Sequence, residues 1–298
     1  MPKFNVSDLK QLKENQKKVA LTVAYDYSIA KAVQVSQLDA ILVGDSGGMV
    51  NLGYSSTVPT TLIQMISFCQ AVSRGAPEIF LIGDLPFGSY EVSSKQAVKS
   101  AVKLVKLGGV NSIKLEGGTR VASKVKAIVD AGIPVMGHLG ITPQSSASTS
   151  GYRPYGRTRQ EIIELKKDML ELERAGVFSI LLEGVVSEIT KVARNWVNVP
   201  VYGIGSGSDV DGQLVLSYDI LGLYPDFKPK FAKKYISDAI SKIQEDNSDF
   251  KNIGFFDIAV KSFELYKQEI LNNKFPSEEY KYSIGKENQN LLEFAQEI

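Results

Sequence analysis

Cysteine, histidine and tryptophan are almost missing from this chain of 298 residues, which has one of each. A single cysteine excludes an intrachain disulfide and indicates a reducing compartment. One histidine and one cysteine also argue against a zinc site, which needs several such ligands. Cys69 stands among apolar residues of a helical stretch, so we interpret it as a core residue rather than a reactive thiol.

An excess of one charge is missing too, because 34 lysines and arginines face 33 aspartates and glutamates. This balance gives no reason to expect nucleic acid or an anionic membrane as partner. No apolar run reaches the ~18–20 residues of a membrane span. Residues 1–18 lack the apolar segment of a secretory signal. We therefore expect a cytoplasmic protein.

Five hydrophobic stretches, each ending in polar residues and glycine, are the most informative pattern in the chain. They are ILVGDSGG (41–48), FLIGDLPFG (80–88), SIKLEGG (112–118), PVMGHLG (134–140) and SILLEGV (179–185). Buried parallel strands show such runs, and a barrel of parallel strands has its active site where the strands end. The pattern predicts one rim carrying Asp45, Asp84, Lys114, Glu116, His138 and Glu183.

Strand-like and helix-like segments alternate along most of the chain, which predicts a (β/α)8 barrel; a doubly wound open sheet is the alternative. Strand-like segments also occur at 19–26, 200–207 and, more weakly, 220–225. Amphipathic helices are predicted at 61–75, 93–109, 119–132, 159–176 and 186–196. Left-handed glycines should end four of them, at Gly75, Gly108, Gly132 and Gly176.

The barrel should have additional helices at both ends of the chain, within a single domain over 1–298. At the start, Ser7 is the predicted cap of a polar helix. Two helices are predicted over 229–273, within the C-terminal region 229–298. The tail 281–298 ends in an amphipathic piece that we expect to dock on a neighbouring subunit or to fray.

Two predicted rim carboxylates, Asp45 and Asp84, follow neighbouring strands in the matching contexts VGD and IGD. Carboxylates from neighbouring strands can share a hard cation, and Mg²⁺ suits a site that leaves positions for water and substrate oxygens. The alternative is that each aspartate only caps the turn that follows it.

Lys114 and Glu116 are two residues apart on one strand and should point to the same inward face. Lys114 could stabilise a substrate oxyanion and Glu116 could reach the metal, or the two could form a structural salt bridge. His138 could donate a hydrogen bond to substrate or be structural. Glu183 could act as a general base, or pair with a cation such as Lys114 or Arg157.

Two long loops follow predicted strands. The stretch 45–61 is rich in glycine and serine, and its backbone N–H groups together with Ser46 could bind a carboxylate. The stretch 141–158 is long for a connection inside a barrel, which favours a lid or a substrate loop.

Ordered motifs over about residues 8–282 resemble the ketopantoate hydroxymethyltransferase family. They include VGDS (43–46), STVPTT (56–61), GDLPF (83–87), KLEGG (114–118), GHLGITPQS (138–145), GYRPYGR (151–157), LLEGV (181–185) and PKFAKKY (229–235). The resemblance implies a barrel of the phosphoenolpyruvate mutase and isocitrate lyase group, built into a decamer of two pentameric rings.

The same resemblance implies the chemistry and the roles of the rim residues. It implies Mg²⁺ bound through Asp45 and Asp84 with Glu116 nearby, and a 2-oxo acid held by the metal, Ser46 and Lys114. Glu183 would be the base at C3 and His138 a pocket residue near the substrate. The one-carbon donor would be 5,10-methylenetetrahydrofolate.

The chain departs from the family pattern at four places, Gly47, 53–55, Tyr218 and Tyr280. The family usually has a bulkier residue at the first of these and a histidine at the third. None of the departures replaces a predicted metal ligand or the predicted base. Two other functions remain open: a C–C or P–C lyase of the same superfamily, and a barrel that binds an oxo acid without catalysis.

Overall fold

The computed structural model describes residues 4–148, 153–246, 252–285 and 288–298. In these residues eight parallel strands pair in chain order and close into a barrel, in which the eighth strand pairs with the first. The strands are β1 Val19–Val23, β2 Ala40–Val43, β3 Phe80–Asp84, β4 Ser112–Glu116, β5 Val135–Gly140, β6 Ser179–Glu183, β7 Val201–Ile204 and β8 Gly212–Leu216. The predicted (β/α)8 barrel is confirmed, and the open sheet is wrong.

The helices of the described residues are α1 Val6–Glu14, α2 Tyr27–Val35, α3 Gly47–Val50, α4 Leu62–Gly75, α5 Ser94–Lys103, α6 Ala122–Asp130, α7 Arg159–Arg174, α8 Ser187–Ala193, α9 Ser217–Leu221, α10 Ile236–Asp246, α11 Phe255–Leu271 and α12 Asn290–Glu297. Helix α1 precedes β1 and packs with Leu9 against the apolar cluster inside the barrel, and most of the other helices cover its outside. A π-helical turn, Leu104–Gly108, continues α5. Three short 3-10 turns lie at Thr119–Val121, Pro143–Ser148 and Glu278–Tyr280.

The eighth strand is not the one predicted at 220–225. Strand β8 comes earlier, and its residues Gly212–Leu216 run in register with Val19–Val23 of β1. Ile220 belongs to α9, which ends at Gly222 in the left-handed region with φ 66°. A short apolar run does not distinguish strand from helix, and here closure of the barrel decides between them.

Two layers of apolar side chains flank the strands, one inside the barrel and one beneath the helices. On β4, Ile113 and Leu115 belong to the outer layer. Their neighbours Lys114 and Glu116 point into the barrel, because successive side chains of a strand alternate between its faces. The predicted inward pair is therefore confirmed. Cys69 is buried in the outer layer, as predicted.

Some predicted helix ends are wrong. Asn5, not Ser7, caps α1, because the Asn5 side chain accepts from two backbone N–H groups and Asp8 bonds back to the Asn5 N–H. Left-handed φ angles occur at Gly132 and Gly176 as predicted, but at Gly109 instead of Gly108. Gly75 serves close packing instead, since a Cβ there would lie 2.5 Å from the carbonyl oxygen of Tyr27.

The C-terminal region folds back onto its own chain. Helix α11 packs on α2 and β1, and α10 packs on α11. Helix α12 packs against α7 and α8, where the Arg159 guanidinium lies 4.9 Å from the centre of the Phe294 ring. The tail is thus anchored within its own chain, contrary to the expectation of docking elsewhere or fraying. The assignment of 1–298 to one domain stays a prediction.

None of the helices in the described residues is both long enough and apolar enough to span a membrane.

Candidate active site

The predicted rim residues all line one cavity at the carboxyl ends of the strands. Asp84, Glu116 and Glu183 are the last residues of their strands, and the side chains of the others project from strands or from the turns that follow. The cavity wall includes Asp45, Ser46, Asp84, Lys114, Glu116, His138 and Glu183. The structure thus brings together residues that are up to 138 positions apart in the sequence.

The register of the barrel pairs opposite charges across neighbouring strands. Asp84 of β3 lies beside Lys114 of β4, and Glu116 of β4 lies beside His138 of β5. Neighbouring strands are about 4.8 Å apart, so side chains in register on the same face meet directly. The alternation of charges therefore follows from strand pairing and needs no loop to assemble it.

Lys114 is the central cation of the cluster and is buried. Its Nζ lies 2.6 Å from Asp84 Oδ2 and 3.5 Å from Glu116 Oε1. Burial by itself lowers the pKa of Lys114, but the charges of Asp84, Glu116 and Asp45 outweigh burial and raise the pKa above its usual value. Lys114 is therefore protonated at neutral pH.

His138 lies between two carboxylates. Its Nδ1 is 3.2 Å from Glu116 Oε1, and its Nε2 is 3.2 Å from Glu183 Oε2. Burial and Lys114 lower the pKa of His138, but the interactions with Glu116 and Glu183 outweigh them and raise it to about 9. Both nitrogens lie within ion-pair distance of a carboxylate, but neither makes a hydrogen bond of good geometry among the described residues, so His138 interacts with Glu116 and Glu183 mainly through its charge.

Glu116 is fully engaged by its neighbours. Besides Lys114 and His138 at Oε1, it accepts a 3.0 Å hydrogen bond at Oε2 from the backbone N–H of Gln144. Burial raises the pKa of Glu116, but Lys114 and His138 reverse this effect and the net shift is downward. Glu116 is accordingly ionised and holds the two cations in place.

Asp45 and Asp84 differ from Glu116 in the direction of their pKa shifts. Burial raises the pKa of both carboxyl groups, and for Asp45 the next cause is the negative charge of Asp84. The two residues are close, since the backbone N–H of Asp45 donates to Asp84 Oδ2 at 3.3 Å. Asp84 Oδ1 is buried and has no hydrogen-bond partner among the described residues. A buried carboxylate oxygen in that state needs a cation or a donor.

The charge of the cluster fits a divalent cation. Four carboxylates, of Asp45, Asp84, Glu116 and Glu183, surround only two cations, Lys114 and His138. Within the described residues no three Asp, Glu, His or Cys side chains are placed to hold a metal by themselves. Mg²⁺ needs only one or two carboxylates when water and substrate oxygens complete its shell. Asp45 and Asp84 therefore fit that ion.

Glu183 is the accessible carboxylate of the cluster. Its side chain is 18% exposed, whereas that of Glu116 is 1% exposed. Among the described residues its carboxylate has one close polar contact, with His138, and it pairs with neither Lys114 nor Arg157. A carboxylate that is held on one side and open on the other can exchange a proton with a bound molecule.

Gln144 joins the cluster, although sequence reasoning did not single it out. Its Nε2 donates to Asp45 Oδ2 at 2.8 Å and to the Leu85 carbonyl at 2.9 Å, and its Oε1 accepts from the Tyr90 hydroxyl at 2.7 Å. It lies in the stretch 141–158, so one part of that stretch is a fixed wall of the site. Its position in the motif GHLGITPQS was the available signal.

Comparison with known proteins gives a consistent result. The family model for ketopantoate hydroxymethyltransferase matches residues 3–278. The chain belongs to this family. It is 44% identical to the 3-methyl-2-oxobutanoate hydroxymethyltransferase of Alkaliphilus metalliredigens, over 95% of this chain and 94% of that one. It is 47% identical to the enzyme of the same name from Ignicoccus hospitalis, over 86% and 100%.

Solved structures of other barrels share the fold of this family member. A phosphonopyruvate hydrolase in complex with oxalate and Mg²⁺ matches with a TM-score of 0.58 at 13% identity, over 93% of this chain and 100% of that one. A 2,3-dimethylmalate lyase of the phosphoenolpyruvate mutase/isocitrate lyase superfamily matches with a TM-score of 0.55 at 15% identity, over 88% and 96%. These structures show a shared barrel fold, and membership of their superfamily stays a prediction.

Two departures from the family pattern meet at Tyr25. A Cβ at Gly47 would lie 2.7 Å from Tyr25 Cδ1 and 2.9 Å from the Phe68 ring, so this chain has no room for a larger residue there. Tyr218 packs edge-on against Tyr25, with ring centres 5.6 Å apart. The Tyr25 hydroxyl in turn hydrogen-bonds the Ser46 hydroxyl at 2.9 Å. Both departures therefore belong to the packing that fixes Ser46.

Part of the glycine-rich stretch 45–61 uses its backbone internally. The N–H groups of Gly47, Gly48 and Met49 donate to the carbonyls of Gly44, Asp45 and Ser46 at the start of the short helix α3. These three N–H groups are therefore occupied, and carboxylate binding by the rest of the stretch with Ser46 stays a prediction. For the predicted lid, residues 149–152 lie outside the described residues.

Proposed function

We propose that this chain transfers a hydroxymethyl group from 5,10-methylenetetrahydrofolate to 3-methyl-2-oxobutanoate, giving 2-dehydropantoate for pantothenate synthesis. The observation that carries the proposal is the buried rim cluster, in which Asp84 pairs with Lys114 through one oxygen and keeps the other without a partner among the described residues. Asp45 lies beside Asp84, and Glu183 stays accessible. The relatives that carry the name 3-methyl-2-oxobutanoate hydroxymethyltransferase support the choice of substrate and reaction.

Asp45 and Asp84 would hold Mg²⁺, and Glu116 would reach it through water. Direct coordination by Glu116 is disfavoured because both of its oxygens already have partners in the protein. The unpartnered oxygen of Asp84 supports this assignment. When bound, the ion supplies a Lewis acid that polarises the oxygens of the oxo acid.

Lys114 and Ser46 would hold the oxo acid. Proton loss from C3 of 3-methyl-2-oxobutanoate leaves negative charge on the keto oxygen as an enolate. Lys114 is protonated and buried, so it can stabilise that charge as it develops. Such electrostatic stabilisation is strongest where water is excluded. Tyr25 holds the Ser46 hydroxyl in a fixed orientation beside the pocket.

Glu183 would remove the C3 proton, and His138 would position it. The ion pair with His138 keeps one oxygen of Glu183 fixed, while the side chain remains open to the cavity. The C3 carbon would then bond to the methylene carbon of the folate, and both bonds from that carbon to folate nitrogens would break. Water would supply the hydroxyl of the new hydroxymethyl group, and its other proton and the proton from C3 would go to the two nitrogens. The folate leaves as tetrahydrofolate.

Exchange of the C3 proton into D₂O tests the role of Glu183 without the folate. We expect Glu183→Gln to slow exchange by about 10²–10⁴-fold, the usual contribution of a general base, while the oxo acid still binds. Glu164→Gln, on the exposed face of α7, is the matched control. Undiminished exchange in the Glu183 variant would remove it from the role of base.

Product analysis with and without tetrahydrofolate tests the reaction itself. The proposal requires that 2-dehydropantoate form only when 5,10-methylenetetrahydrofolate is present as the one-carbon donor. Cleavage of a 2-oxo acid without folate would instead indicate a lyase, and binding of the oxo acid without any turnover would indicate a non-catalytic barrel.

We further propose that the protein acts in the cytoplasm as a decamer of two pentameric rings. The family resemblance supports this assembly, and exposed apolar side chains such as Ile63 and Val92 are surfaces that an interface could cover. Light scattering after size-exclusion chromatography would give the mass of the assembly. A monomer at micromolar concentration would contradict the proposal.

A further inference from the structure

The cavity has a second side, which the proposed chemistry does not use. It faces the rim cluster and is formed after β8, by α9 and the segment that follows it. Its walls are mostly apolar and aromatic, with Tyr224, Phe227, Phe231 and Tyr282. One carboxylate, Asp219 of α9, lines this side of the cavity.

Asp219 is mostly buried and borders the cavity. Its exposure is 7%, and among the described residues its carboxylate makes no hydrogen bond and no ion pair within 4 Å. Burial raises the pKa of Asp219 to about 7, and the more distant Lys228 and Lys234 only partly oppose this effect. Buried polar groups in proteins nearly always have a hydrogen-bond partner. A carboxylate that lines a cavity in this state is suited to accept hydrogen bonds from a ligand.

Asp219 follows β8, which is two strands from β2 and four strands from β4 in the closed order. Asp45 and Ser46 follow β2, and Lys114 and Glu116 lie on β4. Eight strands spaced by about 4.8 Å enclose a barrel on the order of 15 Å across. A ligand that contacts Asp219 and also reaches the oxo acid beside Lys114 must therefore span the cavity mouth.

The walls indicate the chemical class of that ligand. Aromatic side chains favour a flat ring system, which they can contact by its face or edge. A lone carboxylate selects a ligand with two adjacent N–H donors, because such a pair makes two parallel charge-assisted hydrogen bonds. The 2-amino-4-oxopyrimidine ring of a pterin has this edge, formed by N3–H and the 2-amino group.

We propose that Asp219 binds the N3–H and 2-amino edge of the pterin of the folate donor, with the aromatic walls of the cavity around the ring. This inference rests on the proposed function, because it concerns the donor of that reaction. It makes Asp219 a specificity residue for the folate and gives it no part in binding the oxo acid.

Titration calorimetry with tetrahydrofolate, in the presence of Mg²⁺ and oxo acid, tests the contact directly. We expect Asp219→Asn to weaken tetrahydrofolate binding about ten- to a hundredfold. The asparagine keeps one acceptor oxygen, but its NH₂ group would face an N–H donor of the pterin, so one of the two hydrogen bonds is lost. The KM for methylenetetrahydrofolate should rise by a similar factor, with less than a twofold change in the KM for the oxo acid. Asp226→Asn, an exposed carboxylate in the neighbouring segment, is the control and should bind as wild type.

A folate analogue without the 2-amino group gives a second test that needs no variant. Wild type should bind it at least tenfold more weakly than tetrahydrofolate, and the preference should disappear in Asp219→Asn. Equal binding of the two compounds by wild type overturns the assignment, even if the variant does not fold. A variant that loses only stability and binds tetrahydrofolate normally overturns it as well, and assigns Asp219 to pairing with Lys228 or Lys234.

Proton exchange distinguishes an error in the Asp219 assignment from an error in the proposed function. Wild type that exchanges the C3 proton of the oxo acid and makes product, together with unchanged folate binding in Asp219→Asn, contradicts only the Asp219 assignment. Wild type that neither exchanges the proton nor makes product contradicts the proposed function.

Discussion

At the amino ends of the strands Asp211 is buried among cations, and at the carboxyl ends Asp84 is buried beside Lys114. Both Asp211 oxygens are in use: Oδ1 accepts from Arg194 and Oδ2 from the backbone N–H of Val201. Lys13 lies 3.5 Å from the same carboxylate. Asp84, by contrast, has one oxygen without a hydrogen-bond partner among the described residues.

The two clusters differ in whether protein groups balance their charges. At the amino end, Lys13 and Lys18 also donate to backbone carbonyls, so each charge there is matched by protein groups. At the carboxyl end, carboxylates outnumber cations and the remaining negative charge faces a cavity. An ion pair that only stabilises the fold is completed by the protein, whereas a binding site leaves its last contacts for a ligand.

The largest expected effect is that of Asp84→Ala. Removing a proposed metal ligand should lower kcat/KM by about 10³-fold or more, because Lewis-acid stabilisation is worth several kcal/mol. Mg²⁺ and oxo acid should lose affinity together in calorimetric titrations. If the oxo acid bound equally well with and without Mg²⁺, the proposed chelation would be wrong. The carboxyl-end cluster would then no longer differ from the amino-end cluster as a metal site.

The charge on His138 should make the stability of the metal-free protein depend on pH. Its pKa of about 9 in the folded state exceeds the ordinary 6.5, so its contribution is complete below pH 6.5 and is lost as pH rises through 9. Across that window, wild type should lose up to about 3 kcal/mol relative to His138→Gln. Urea unfolding at several pH values in chelator measures this difference, and parallel curves for the two proteins would contradict it.

Asp211→Asn should affect stability and spare catalysis. Loss of charge opposite Arg194 and Lys13 should lower the free energy of unfolding by about 2–3 kcal/mol, since hydrogen bonds to charged groups are lost in a mostly buried site. The kcat of the folded variant should match that of wild type. A fall in kcat with unchanged stability would make the amino-end cluster part of the functional machinery.

Gln144→Ala should have the smallest effect on the site. It removes the hydrogen bonds that orient Asp45, and such supporting contacts typically contribute ten- to a hundredfold in metal affinity. We expect the lower end, about tenfold, because the backbone N–H of residue 144 still binds Glu116. Gln160→Ala, exposed on α7, is the control. Unchanged Mg²⁺ affinity would show that Asp45 needs no support from Gln144.

The sequence predicted the side chains at the mouth of the barrel better than the position of its last strand. The run SIKLEGG predicted that Lys114 and Glu116 share the inward face, because alternation along a strand is a local property. The eighth strand was placed at 220–225 instead of Gly212–Leu216. Pairing between β8 and β1 joins residues nearly 200 positions apart, and no local pattern reports that pairing.

The sequence by itself determined the barrel class, the family and the set of polar side chains at the strand ends, because hydrophobic periodicity and motifs are written locally. Only the tertiary structure decided how those side chains are paired. Strand register set Asp84 against Lys114 and Glu116 against His138, and the loop after β5 brought Gln144 to Asp45. It also left Asp84 Oδ1 without a hydrogen-bond partner among the described residues, since whether a buried group is satisfied depends on neighbours that are distant in sequence.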